Sequence, residues 1–164
     1  MSGIGFRIDI DDETVQAALA GLEHKGQDMT PAMDDIGAAM VASTINRFER
    51  GVSPGGTAWV PSFRAILQSG QTLVDQGHLR GSITHNPERD AVEWGSNLIY
   101  ARIYQLGGRI RAKNKPFLVF RLADGSVVKA REVQMPARPY LGVDEDDRAE
   151  IPAILTDFFA EGFE

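Results

Sequence analysis

The sequence predicts an α+β fold: an antiparallel sheet packed against one long helix and several shorter ones, with long loops between them. Three observations carry this. Apolar residues recur at helical spacing from Val15 to Phe48 and again from Ile151 to Phe159. Ile4, Phe6, Ile8 and Ile10 alternate with Gly5, Arg7 and Asp9, the period of a strand with one buried face. Asp124-Gly125, a strong hairpin signal, separates two further strand-like runs. The length of 164 residues, with 43% hydrophobic and 24% charged residues, suits one globular domain, expected to span residues 1–164.

After the first strand, Asp11 or Asp12 is expected to cap a helix carrying Val15, Leu19 and Leu22. Residues 26–29 break it. Thr30-Pro31 then opens the long helix, with Thr30 as N-cap and Pro31 at the first helical position, where its missing N–H costs nothing. The apolar stripe runs through Met33, Ile36 or Gly37, Met40, Val41, Thr44 and Phe48, and ends near Arg50-Gly51. The small residues Gly37, Ala38, Ala39 and Ala42 would let another helix approach closely, most simply within the monomer.

Residues 51–56, Gly-Val-Ser-Pro-Gly-Gly, cannot be regular structure and start a loop expected to reach residue 69. Asp75 is expected to cap a short helix carrying Leu79 and Ile83, and Asn86-Pro87 to break the chain after it. A strand with Val92 and Trp94 follows, then a turn at Gly95-Ser96-Asn97 and an apolar segment, Leu98 to Leu106, stopped by Gly107-Gly108. Residues 107–115 read as a basic loop, 116–122 as a strand, and 126–133 as its return. Pro136 and Pro139 stiffen the next connection. Asp144 to Asp147 place negative charge at a helix start, where the dipole favours it. The final helix carries Ile151, Ile154 or Leu155, and Phe158 or Phe159, with Pro152 tolerated within about its first turn. The expected core comprises Phe6, Ile8, Met40, Phe48, Leu79, Trp94, Tyr100, Ile103, Phe120, Leu141 and Leu155.

Composition excludes some chemistry. With no cysteine, the chain has no disulfide, thiolate nucleophile or Cys-bound zinc. No apolar run approaches the roughly 20 residues of a membrane helix, so no membrane partner is expected. The first twelve residues lack the basic start and apolar core of a secretory signal, which points to synthesis and use in a cytoplasm or in a particle built there. The net charge of −6 is uneven. Residues 1–35 carry eight acidic and two basic side chains, residues 102–131 one and eight, and residues 144–164 eight and one. Acidic ends and a basic middle can pair within a subunit or between neighbours, where complementary patches steer docking; otherwise they are solvated faces.

Asp75, His78 and Ser82 contain the parts of a hydrolytic triad at helical spacing. No nucleophile elbow surrounds Ser82, and Asp75 has a simpler use as a cap. His78 and His85 are two helical turns apart, too far to share an ion on a straight helix. The clusters Asp11-Asp12-Glu13 and Asp144 to Asp147 lack the ligand alternation and central glycine of a calcium loop. Gly107-Gly108 lacks the remainder of a phosphate-binding motif. No catalytic, cofactor-binding or metal-binding residues are assigned.

Three blocks together resemble the phage virion morphogenesis, or tail-completion, family. The first is Leu73, Asp75, Gly77, Leu79, Arg80, Ser82 and Ile83. The second is Val92, Gly95, Ser96, Asn97, Tyr100, Ala101, Ile103, Gln105 and Gly107. The third runs Ala137-Arg138-Pro139-Tyr140-Leu141-Gly142. Gln76 and Tyr104 stand where the family usually has Thr and often His. The resemblance implies a non-enzymatic structural protein of a tailed phage or prophage, acting in tail completion and head–tail joining at the neck. It would sit in the virion after assembly in the bacterial cytoplasm. Expected partners are other copies of the chain in a ring and phage neck and tail proteins, with packaged DNA as a further contact if the basic segment lines its passage. The interface candidates are Trp59, which either reaches a neighbour or packs on the core, and Arg109, Arg111, Lys113 and Lys115.

Overall fold

The computed structural model describes residues 12–161, so the expected first strand and the core candidates Phe6 and Ile8 lie outside the described residues. The element order is α1 (Asp12–Gln27), α2 (Thr30–Arg50), α3 (Phe63–Leu67), α4 (His78–Gly81), β1 (Thr84–Pro87), β2 (Val92–Gly95), α5 (Ala101–Leu106), β3 (Gly108–Arg111), β4 (Leu118–Arg121), β5 (Val127–Ala130), β6 (Glu132–Met135) and α6 (Glu145–Ala160). The mixture of helices and antiparallel strands is the expected α+β class. The strands form three separate antiparallel pairs, β1–β2, β3–β6 and β4–β5, where one sheet was expected.

Helix α2 is the spine. Its start differs from expectation: Thr30 is already helical, and Asp28 accepts hydrogen bonds from the Thr30 N–H and hydroxyl. Those bonds, the hydroxyl's first, hold the Asp28 carboxyl below its usual range. At the other end Gly51 is left-handed (φ 68°), and its N–H and that of Val52 both return to the Arg47 carbonyl. One face of α2 buries Met33, Ile36 and Met40 against Val92, Trp94, Ile151 and Leu155, joining it to β2 and α6. The predicted close approach occurs at Gly37, but the visitor is the β1–β2 hairpin: a Cβ at residue 37 would stand 2.3 Å from the His85 ring.

The second core cluster closes the other end. Phe48 meets Trp59 edge-on, with ring centroids 5.6 Å apart, and lies 5.0 Å from Tyr140. Leu79, Ile83 and Ala101 complete it. Tyr100, expected inside, is exposed. Trp94, Ile103, Phe120, Leu141 and Leu155 are only partly buried.

Four local expectations change. Asn86-Pro87 does not break the chain but ends β1, where Pro87 pairs with Val92 at the margin of the ladder. The loop after Gly51 is shorter than expected, because Ser62 caps α3 by accepting from the Ala65 N–H. The basic segment is a strand in its first half, since β3 pairs with β6 from Gly108↔Met135 to Arg111↔Glu132. The long return strand is two strands, β5 answering β4 and β6 answering β3. The turn between β4 and β5 is as expected: Gly125 has φ 86°, and Asp124 accepts from the Ser126 N–H.

Candidate assembly surface

The third sequence block is internal scaffolding. Gln105 on α5 accepts from the N–H groups of Tyr140 (2.9 Å) and Leu141 (3.0 Å) through Oε1, and donates through Nε2 to the Leu141 carbonyl (2.9 Å). Its side-chain amide acts as a one-residue strand partner for the 140–141 backbone. Tyr140 donates its hydroxyl to the Ala101 carbonyl, and burial pushes that phenol's pKa up. Gly107 turns the chain just after Gln105 at φ 68°, and a Cβ there would stand 2.6 Å from the Ala137 nitrogen, so only glycine fits.

Arg47 continues this lock. Its guanidinium donates to the carbonyls of Tyr140 and Gly142, to the Ser43 hydroxyl, and to the carboxylates of Asp144 and Asp147. Arg47 and Asp147 are both buried, and Asp144 and Asp147 form a reciprocal capping box at the start of α6. The acidic helix start expected from the sequence is therefore a cap and an ion-pair site together. The Asp147 N–H, followed by Arg47, holds the Asp144 carboxyl below its usual range. Helix α6 runs through Pro152, beyond its first turn, with the Thr156 hydroxyl donating to the Pro152 carbonyl.

Trp59 belongs to the core. It is 6% exposed, and its indole N–H donates to the Pro139 carbonyl at 2.9 Å. Its ring is occupied within the subunit, which is the packing alternative the sequence left open. The four basic candidates are exposed and lie together in the segment that leaves α5. Arg109 and Arg111 point outward from β3; Lys113 and Lys115 follow before β4. Arg111 pairs with Glu132 across the ladder at 2.9 Å. Arg109, Lys113 and Lys115 have no carboxylate partner among the described residues.

A groove of about 640 Å³, which the sequence reading missed, lies beside them. Val60, Phe63, Tyr100, Tyr104, and Val133 and Met135 of β6 line it. Val60, Phe63, Ile66 and Leu67 are all exposed. Their spacing of three, three and one was a legible sign of an outward apolar stripe. Arg138 also lines the groove. It is 4% exposed, donates from Nε to the Val60 carbonyl at 2.8 Å, and has no carboxylate partner among the described residues. Burial lowers its pKa.

The hydrolytic candidates are dispersed. Asp75 is exposed and faces Arg64 at 3.6 Å rather than capping α4, whose N-cap is Gly77. His78 contacts the Gln76 side chain, and Ser82 donates to the Leu79 carbonyl or shares its hydroxyl with Ser96. Among the described residues, no three His, Asp or Glu side chains gather as a metal site, and no helix is long and apolar enough to cross a membrane.

The surfaces are those of a protein that makes contacts, and comparison with known proteins gives the family. The phage virion morphogenesis family matches residues 10–160. The chain belongs to the phage virion morphogenesis family. Mu-like prophage FluMu G protein 2 of Haemophilus influenzae is 28% identical over 155 residues, covering 93% of this chain and 96% of that protein. The putative capsid assembly protein G of Escherichia phage Mu is 30% identical over 158 residues, covering 90% of each. No solved structure matches the chain. This virion morphogenesis protein therefore has a structural role in phage assembly.

Proposed function

We propose that the protein completes the tail and joins head to tail at the phage neck, acting as a ring of identical subunits. It catalyses nothing in this account. The observation that carries the reading is the division of labour between residues. Gln105, Arg47 and Tyr140 are consumed in holding the subunit together, while the basic side chains of 102–131 are exposed, four of them (Arg109, Arg111, Arg121 and Lys129) on paired strands. A rigid body with a charged arm suits docking to copies of itself and to neck or tail proteins, and repetition around a symmetry axis multiplies modest contacts.

Deleting the gene from its phage or prophage tests this. Full heads and finished-length tails should accumulate unjoined, and plasmid-borne protein should restore particles. Loss of heads themselves would place the protein at an earlier step and contradict the proposal.

A second reading, contact with packaged DNA, is favoured by Arg109, Lys113 and Lys115, three of the four basic residues of the 107–115 segment, which have no carboxylate partner among the described residues. Neutralising phosphates would give binding that weakens steeply with salt. DNA binding by the purified protein across a salt series separates the two.

A further inference from the structure

Two surfaces lack a counterpart among the described residues, and they complement each other. Helix α1 carries Val15, Leu19 and Leu22 at positions i, i+4 and i+7, one apolar stripe. Its C-terminal end is fastened, with Lys25 donating to the Phe158 carbonyl and lying 4.8 Å from the Phe158 ring centroid. Further back along α1, Val15 is exposed and Leu19 is 59% exposed. A 16-residue helix is marginal without a surface to bury its apolar face. The groove presents the reverse: apolar lining, exposed side chains at Val60 and Phe63, and in Arg138 a buried cation with no carboxylate partner among the described residues. No described residue of α1, α2 or α6 lines the groove.

We propose that the groove receives helix α1 of a second copy, apolar stripe inward, in a contact that repeats head to tail. Charge chooses this occupant. The stripe is flanked by Glu13 and Glu23, and residues 1–35 carry eight acidic side chains against two basic ones. The groove is lined by Arg64, Asp75, His78 and Arg138; Arg64 and Asp75 face each other at 3.6 Å, which leaves Arg138 as the cation without a carboxylate partner among the described residues, beside the arm whose 102–131 segment has eight basic and one acidic residue. An amphipathic helix in an apolar groove is a recurrent docking mode, with anchors at this spacing. Because helix and groove are different surfaces, the contact is heterologous and generates a ring when its rotation closes. The inference rests on the assembly reading and supplies the contact that reading requires.

The absence of cysteine makes the test clean. In the full chain, Leu19→Cys and Phe63→Cys are made singly and together and treated with a short bismaleimide. The double variant should give a ladder of covalent dimers, trimers and larger species on denaturing gels. Each single variant should stop at dimer or below, and a mixture of the two should give dimers. A double variant that yields nothing above dimer, or only an internally bridged monomer, overturns the docking. In parallel, Leu19→Glu should weaken self-association at least about tenfold while leaving monomer melting unchanged, since it alters an exposed anchor. If Leu19→Glu assembles and joins heads to tails as the parent does, the docking falls and the assembly reading stands. If the double variant cross-links as expected but the parent never supports joining, the assembly reading falls instead.

Discussion

Gln105 and Leu141 bind each other twice. The glutamine amide donates to the Leu141 carbonyl at 2.9 Å and accepts from its N–H at 3.0 Å, with a further bond from the Tyr140 N–H. A side chain thus replaces a neighbouring strand where the chain crosses from the arm to α6. Gln105→Ala should cost about 2–4 kcal/mol, since it leaves part-buried backbone groups unpaired. Gln105→Glu keeps the acceptor but sets a carboxylate against the Leu141 carbonyl, and should also destabilise. Denaturant unfolding of both variants checks this; parental midpoints would mean the amide only decorates the crossing.

Arg47 and Asp147 join α2 to α6 from positions 100 residues apart. Both are buried, so Asp147→Ala strands a cation and should cost about 3–5 kcal/mol. Combining it with Arg47→Met should recover part of that loss in the same measurement. If the double variant is no better than Asp147→Ala, the cost is that of the helix cap alone.

The Asp144 carboxyl sits below its ordinary value of 3.8, chiefly through the Asp147 N–H and then Arg47. A depressed folded-state pKa means the ionised form favours the fold. Its contribution is fully present above the unfolded pKa and disappears as pH falls through the lower folded one. Stability should therefore decline on acidification below about pH 4, and Asp144→Asn should flatten part of that decline. Urea midpoints over a pH series, parent against variant, decide it.

At Gly37 two effects compete. Alanine is favoured in a helix interior by about 1 kcal/mol, but its methyl would stand 2.3 Å from the His85 ring and 2.9 Å from Val92. His85 is held by Asp34 at 2.8 Å and cannot simply swing away. Overpacking should prevail, with Gly37→Ala net destabilising by about 1–2 kcal/mol in thermal melts. A stabilised variant would show that the β1–β2 hairpin moves freely on α2.

The sequence revealed what local chemistry decides. Helix α2, the capped start of α6 and the Asp124-Gly125 turn were legible because each is set by residues a few positions apart. Pairing at a distance was not. Nothing near Ile110 says that its partner is Val133, so β3 looked like a loop. Trp59 looked available because its partners, Phe48 and Pro139, are distant in sequence. Arg138 looked like part of a motif, and only the fold shows it to be a buried cation beside a groove.

The basic arm tests the central claim most directly. Arg109→Ala, Arg111→Ala, Lys113→Ala and Lys115→Ala together remove four exposed charges, each expected to shift stability by no more than about 0.5 kcal/mol. The decisive measurement is the rate at which purified protein restores joining of heads to tails in an extract lacking it, across a salt series. The account predicts near-parental melting with slower, less salt-sensitive joining, because such charges act mainly on association rate. Parental joining at low salt by a folded quadruple variant would contradict it.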